Sequence, residues 1–176
     1  MIRLPEGSAP KTHNLTHTIT VTADLPDGAE GVLACLGGDT AGWSLFIQDG
    51  RLVYHYNWFD VERYEVRSTR PVPAGKVELQ LAFDNEGKAP GGPATARLFI
   101  NGQECGQGRV DKQVRGRFSL ESLDIGMDAL SPVSKSYPEG KLHFPFTGTI
   151  DKVRFDFGDG VDQSPAEKLE QHIKMD

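Results

Sequence analysis

The chain is poor in cysteine: its 176 residues include only Cys35 and Cys105. Neither belongs to a Cys-x-x-Cys pair, the spacing typical of cysteine-based zinc sites, so no such site is predicted. Cys35 lies in the apolar run 31–36, which favours a buried free thiol. A disulfide with Cys105 is the alternative, because sequence spacing does not show whether two Cα atoms lie within bridging distance.

The chain also lacks an excess of basic residues. Its 19 Lys and Arg against 25 Asp and Glu give a formal net charge of −6. Binding to a phosphate backbone needs a basic face, so we expect no nucleic-acid partner. No apolar run approaches the roughly 18 residues of a membrane-spanning helix, and the first residues contain no apolar signal segment. We therefore expect neither a membrane partner nor a secretory signal.

Turn residues, by contrast, are abundant, with 20 glycines and 11 prolines. Residues 17–24 and 76–84 alternate between apolar and polar side chains, which is the period of a half-buried strand. Asp49-Gly50 and Asn101-Gly102 each separate two strand-like runs, and this is the strongest short-range signal for a β-hairpin. The sequence predicts an all-β fold, a two-sheet antiparallel jelly-roll sandwich. The alternation places these side chains in its core: Ile19, Val21, Ala23, Val77, Leu79, Leu81 and Phe83.

The chain divides into a linker segment at residues 1–14, the sandwich at 15–157 and a tail at 158–176. Ser164-Pro165-Ala166-Glu167 is a capping box with proline at the first helical position. It predicts a short C-terminal helix over residues 165–174. Further short elements are expected as follows: strands at 117–120 and 123–127, and an irregular segment at 131–143.

A set of motifs runs through residues 4–157. They are Gly37-Gly38 with Gly42-Trp43-Ser44-Leu45, then Tyr56-Asn57-Trp58, Glu62-Arg63-Tyr64, Pro73-Ala74-Gly75-Lys76 and Pro145-Phe146-Thr147-Gly148-Thr149-Ile150-Asp151-Lys152-Val153. Together they resemble the C-terminal β-sandwich that follows the catalytic domain in large bacterial arylsulfatases. The resemblance implies a concanavalin A-like (lectin/glucanase) fold and a hydrolase parent whose sulfatase core binds calcium.

The resemblance does not extend to catalysis. Sulfatases carry Cys-x-Pro-x-Arg, whose cysteine is oxidised to formylglycine. The nearest string here is Cys105-Gly106-Gln107-Gly108-Arg109, in which Gln107 stands at the proline position. We therefore expect no catalytic residue and no cofactor of this chain's own, calcium excepted.

Three acidic residues come closest to the paired carboxylates of glucanases. Glu121 and Asp124 differ by an odd step and would point to opposite faces of a strand. Asp124 and Asp128 would lie about 13 Å apart on a continuous strand, well beyond the roughly 5 Å of a retaining glycosidase. The pattern does not favour glycoside hydrolysis.

Asp124 and Asp128 are also candidate calcium ligands, since sandwich rims can bind Ca²⁺ through carboxylates and carbonyls. Residues 156–162, with three aspartates, are a second candidate calcium loop. Turn-forming aspartates without an ion are the alternative at both places.

Aromatic residues concentrate between residues 54 and 64. We predict a ligand-binding group there, which consists of Tyr54, Tyr56, Trp58, Arg63 and Tyr64. Tyr54, Tyr56 and Trp58 share one face of their strand, which would suit a sugar or aryl group if it faced solvent. The alternative is that this face lies in the core or against a neighbouring domain.

The sequence supports two functional hypotheses. The first is a non-catalytic accessory domain that packs on the sulfatase catalytic domain of the same polypeptide, in a bacterial cytoplasm or periplasm. The second is an independent, lectin-like carbohydrate-binding module, whose partner is a glycan. The first predicts exposed apolar side chains near residues 54–64, and the second predicts an open aromatic surface.

Overall fold

A computed structural model describes residues 2–158 and 173–174. These residues form two six-stranded antiparallel sheets, so the predicted all-β sandwich is confirmed. Sheet A consists, in spatial order, of β1 (Ile2–Pro5), β10 (Ser122–Ile125), β3 (Gly31–Gly37), β4 (Gly42–Gln48), β5 (Arg51–Trp58) and β6 (Glu62–Arg67). Sheet B consists of β12 (Ile173–Lys174), β11 (Thr149–Phe157), β2 (His17–Leu25), β7 (Gly75–Asn85), β8 (Ala94–Ile100) and β9 (Gln103–Val110).

The predicted core alternation is confirmed on β2 and β7. All seven side chains named above are buried between the sheets, while their neighbours on the same strands are more exposed. Both predicted hairpins are present as well. Asp49 and Gly50 have φ of 52° and 70°, and Asn101 and Gly102 have φ of 50° and 77°. Two successive left-handed residues match the right-handed twist of the flanking strands.

Three local predictions differ from the structure. Residues 117–120 form no strand, because the Glu6 carboxylate accepts hydrogen bonds from the backbone of Phe118 (2.9 Å) and Ser119 (3.2 Å) instead. The strand expected at residues 123–127 is β10, and Gly126, at φ 86°, follows its last residue. Residues 2–5, expected in a linker, form an edge strand paired with β10.

The predicted C-terminal helix falls mostly on residues 165–172, which lie outside the described part of the chain. Its last two residues, Ile173 and Lys174, form β12 and pair with Lys152 and Val153 of β11. A helix through Lys174 is therefore wrong. The edge of β11 offers unpaired backbone groups that a short strand satisfies. No helix among the described residues is long and apolar enough to cross a membrane.

Residues 126–146 lie over the outer face of sheet A, and we call them the covering segment. They form a second, smaller apolar cluster with that face, which contains Val32, Cys35, Phe46, Val53, Val133 and Phe144. The end of the covering segment passes close to β3. A Cβ atom on Gly31 (φ 113°) would lie 2.3 Å from the Pro145 carbonyl oxygen. Sheet A is thus buried on both faces, which explains the unbroken burial of β3.

His17 begins β2 in the core, where its ring stacks on Phe83 at 5.0 Å. Its Nδ1 lies 2.8 Å from the Leu15 carbonyl oxygen, and its buried Nε2 has no hydrogen-bond partner. Burial therefore lowers the pKa of His17 to about 4.

This burial predicts acid sensitivity. Between pH 6.5 and pH 4 the unfolded chain protonates His17 while the folded chain does not, so stability falls as the pH falls. From pH 7 to pH 5 this histidine should remove roughly 2 kcal/mol from the free energy of unfolding. Urea unfolding of wild type and His17→Gln at both pH values measures it. An equal loss in the two proteins would contradict the assignment.

Candidate functional site

The predicted ligand residues Tyr54 and Tyr56 lie between the two sheets. Their exposed fractions are 1% and 3%. The Tyr56 ring stacks at 6.2 Å on Phe83, and its hydroxyl oxygen accepts a hydrogen bond from the Val114 backbone N–H at 2.9 Å. Both side chains therefore lie in the core, which was the alternative to a ligand site, and neither ring is open to a ligand in this structure.

Trp58 ends β5 and is half-buried against the core edge. The next residue, Phe59, turns outward and is 46% exposed, with its ring centroid 5.4 Å from that of Trp58. Phe59 and Asp60 have left-handed backbone φ angles of 52° and 56°, which residues other than glycine rarely adopt. Lys112 Nζ lies 4.8 Å from the centroid of the Trp58 ring. We call Trp58, Phe59, Asp60 and Lys112 the aromatic corner.

Arg63 anchors one side of the aromatic corner. Its guanidinium donates to Asp60 Oδ1 from Nε (3.1 Å) and from a terminal nitrogen (2.8 Å), and its other terminal nitrogen donates to the Val133 carbonyl at 2.7 Å. Lys135 Nζ also reaches Asp60 Oδ1, at 2.5 Å. Hydrogen bonds from Lys135 and Arg63 lower the pKa of Asp60. An exposed carboxylate is thus held in place on the residue that follows Phe59.

Tyr64 and Glu62 form the other side of the corner. The Tyr64 hydroxyl and Lys112 Nζ both donate to the Glu62 carboxylate. These contacts, that of Lys112 above all, lower the pKa of Glu62. Of the five predicted ligand residues, the structure therefore brings Trp58, Arg63 and Tyr64 to one end of the sandwich. Sequence reasoning missed Phe59 because strand alternation says nothing about a residue in the turn that follows.

His55 lies beneath the covering segment beside a serine and a carboxylate. Its Nδ1 is 2.8 Å from Ser134 Oγ and 3.5 Å from Glu65 Oε2. A catalytic triad needs the nucleophile and the acid on opposite ring nitrogens, whereas both groups here approach the same one. Burial, followed by the Arg63 charge, lowers the pKa of His55 to about 4. In this trio His55 and Ser134 are buried, and Glu65 lies at the exposed edge.

Asp124 and Asp128 lie much closer together than a continuous strand would allow. Because the chain turns at Gly126, Asp128 folds back over β10, and one ligand atom each of Asp124, Asp128 and Cys35 lie within 4.8 Å of one another. Cys35 is the register partner of Asp124 across β3 and β10. All three side chains are buried, so a sugar has no access to this carboxylate pair.

The oxygens of these two aspartates differ in their partners. Asp124 Oδ1 accepts from Ser122 Oγ at 2.7 Å, and Oδ2 accepts from the Ala129 N–H at 2.9 Å. Asp128 Oδ2 accepts from the Tyr137 hydroxyl and the Val133 N–H, both at 2.8 Å. Asp128 Oδ1 is buried without a hydrogen-bond partner. Burial raises the pKa of Asp128 to about 6.

Cys35 and Cys105 are both free and buried, so the disulfide alternative is not formed. Sequence reasoning placed Cys35 in the core but missed its acidic neighbours, because the pairing of β3 with β10 joins residues far apart in the chain. Of the second acidic loop, residues 159–162 lie outside the described residues. The calcium prediction for Asp124 and Asp128 stays a prediction.

The sequence matches no protein-family model and no curated protein. Solved structures are nevertheless similar in fold. Domains LG4-5 of the mouse laminin alpha1 chain superpose with a TM-score of 0.57 at 14% identity, over 89% of this chain and 39% of that one. A heptameric SAP-like pentraxin from Limulus polyphemus gives 0.51 at 12% identity, over 88% and 66%.

The chain thus spans less than two thirds of either of these proteins. At such low identity the likeness shows the fold alone, which is the two-sheet sandwich of the concanavalin A-like class, as expected. Nothing in these comparisons links the chain to arylsulfatases.

Two tyrosine variants test the division between core and corner. Tyr56→Phe leaves the Val114 N–H buried without an acceptor, which should cost about 1–3 kcal/mol in the free energy of unfolding. Tyr64→Phe removes a hydroxyl that bonds a carboxylate at the surface and should cost less than about 0.5 kcal/mol. Urea unfolding measures both. Equal losses would contradict the placement of Tyr56.

Proposed function

We propose that this chain is a non-catalytic, lectin-like module that binds a glycan at the aromatic corner. The observation that supports this most is the outward-facing Phe59 beside Trp58, on a turn whose carboxylate is already held in place. Aromatic rings at a surface offer an apolar face, and charged side chains surround the rings of this corner. A sugar ring presents a matching pattern of C–H faces and hydroxyl groups.

The polar groups around the corner support the same proposal. Asp60 is an acceptor that Arg63 and Lys135 hold in one position, and Lys112 lies over the Trp58 ring. Hydrogen bonds to charged groups are stronger than those between neutral groups. Because the protein itself orders the Asp60 carboxylate, glycan binding would pay little additional free energy to immobilise this side chain.

The location on a turn at the end of a rigid sandwich is also consistent with a binding role. Loops that a scaffold positions commonly carry recognition. The fold is of a class that includes lectin-like domains, which agrees with the second hypothesis from the sequence better than with the first.

A second candidate, supported by a different observation, is the accessory domain of an arylsulfatase. Phe59 and Val61 are apolar and are 46% and 73% exposed. They lie in the segment expected to dock on a catalytic domain of the same polypeptide. In that case the catalytic domain would cover the aromatic corner. An upstream reading frame that encodes Cys-x-Pro-x-Arg would support this origin, and its absence from the gene would contradict it.

A glycan array followed by calorimetry tests the glycan proposal. We expect the wild-type chain to bind at least one glycan class, and Phe59→Ala to weaken that binding about thirtyfold, since truncating a central aromatic contact costs roughly 2 kcal/mol. Phe99→Ala is the matched control, because Phe99 is a half-exposed ring with a cation over it, Arg97 at 5.8 Å, on the outer face of sheet B.

The control should bind as the wild type does. A blank array, or equal losses in Phe59→Ala and Phe99→Ala, would overturn the proposal. Circular dichroism of each variant confirms that the sandwich has formed before binding is compared.

A further inference from the structure

Three metal-ligating side chains from separate parts of the fold meet beneath the covering segment. Cys35 comes from β3, Asp124 from β10 and Asp128 from the covering segment. Their exposed fractions are 0%, 3% and 1%. Neither the fold class nor the aromatic corner requires this grouping, so it calls for a separate explanation.

Among the described residues, no buried cation balances the two carboxylates of this cluster. Buried carboxylates in proteins are usually paired with a cation or coordinate a metal. Asp124 has a distant partner in Arg3, whose Nε lies 3.9 Å from Asp124 Oδ1 and whose side chain is about half exposed. Asp128 Oδ1 has no hydrogen-bond partner although it is fully enclosed. An unpartnered buried oxygen beside a thiol and a second carboxylate is a position in which a cation would be stabilised.

We propose that Cys35, Asp124 and Asp128 form a binding site for a divalent cation of the zinc type. The ligands are Cys35 Sγ, one carboxylate oxygen of Asp124 and Asp128 Oδ1. The Met127 carbonyl oxygen, 3.7 Å from Cys35 Sγ, is placed to serve as a fourth ligand. On binding, the thiol loses its proton to the solvent and the metal–sulfur bond forms.

The donor set favours Zn²⁺ over Ca²⁺. Calcium takes six to eight oxygen ligands, whereas zinc takes four ligands and accepts sulfur together with oxygen. In a zinc tetrahedron the ligand atoms lie about 3.5 Å apart. The ligand atoms now lie within 4.8 Å of one another, so zinc binding would draw the most distant pair together by about 1 Å.

The surroundings of the aspartates resemble the outer shell of a metal site. Metal-ligating carboxylates are themselves hydrogen-bonded, and those bonds orient them. Ser122 Oγ and the Ala129 N–H orient Asp124, while the Tyr137 hydroxyl and the Val133 N–H hold Asp128 by its Oδ2 atom. These contacts leave Asp128 Oδ1 for the cation.

A cation here would join the covering segment to sheet A, since its ligands lie on both sides of that contact. Its role would be structural, because all three ligand side chains are buried among the described residues. The proposal is independent of glycan binding at the aromatic corner, and either can fail without the other.

Spectroscopy with Co²⁺ tests the site directly. The full chain is purified in a thiol-free reductant, treated with a chelator and titrated with Co²⁺. We expect one equivalent to bind and to produce a thiolate-to-cobalt charge-transfer band in the near ultraviolet. The band should be absent in Cys35→Ser and unchanged in Cys105→Ser, which removes the other buried thiol.

Affinity for Zn²⁺ itself is measured by competition with a chelating dye. Asp128→Asn should weaken binding by at least about 100-fold, and Tyr137→Phe by about tenfold, since outer partners of a metal ligand are worth about 10- to 100-fold. Wild-type thermal unfolding should shift upward with Zn²⁺ and not with Ca²⁺. No stoichiometric binding, a band that survives Cys35→Ser, or tighter binding of Ca²⁺ than of Zn²⁺ would overturn the proposal.

Discussion

A buried layer of polar side chains joins sheet A to the covering segment, and the remaining features of the molecule depend on it. Ser44 Oγ and Asp128 Oδ2 both lie within hydrogen-bond distance of the Tyr137 hydroxyl, at 2.7 and 2.8 Å. Close by, Ser134 bonds His55. The Ser44–Tyr137 and His55–Ser134 bonds cross the contact, whereas the Asp128–Tyr137 bond lies within the covering segment. A buried polar group without a partner is costly. The covering segment is therefore held in one register on the sheet, and its small apolar cluster packs around these bonds.

The covering segment also determines which surfaces of the sandwich stay exposed. It buries outer-face side chains of sheet A, among them Val32, Phe46 and Val53, whereas the aromatic corner lies at the turn that follows β5. Arg63 links the two regions, because it bonds the Val133 carbonyl of the covering segment and the Asp60 carboxylate of the aromatic corner. The corner is consequently attached to a rigid part of the fold although it lies on a turn.

The success of each sequence prediction follows from whether the predicted feature depends on residues near in the chain or far apart in it. The alternation on β2 and β7 and the Asp49-Gly50 turn depend on neighbours in the chain, and all are confirmed. Residues 117–120 fail as a strand because a single distant carboxylate, that of Glu6, binds their backbone. Strand alternation puts Tyr54 and Tyr56 on one face without showing whether that face is open or buried, and only the position of sheet B decides this.

The sequence by itself determined the class of fold, its hairpins and most of its core positions, because local turn geometry and a period of two are written in consecutive residues. Tertiary structure alone decided what meets beneath the covering segment. Cys35 and Asp124 become neighbours through the pairing of β3 with β10, and Asp128 joins them because the chain reverses at Gly126. Contacts between residues so far apart in the chain arise from how sheets and loops pack in space, which no local pattern encodes.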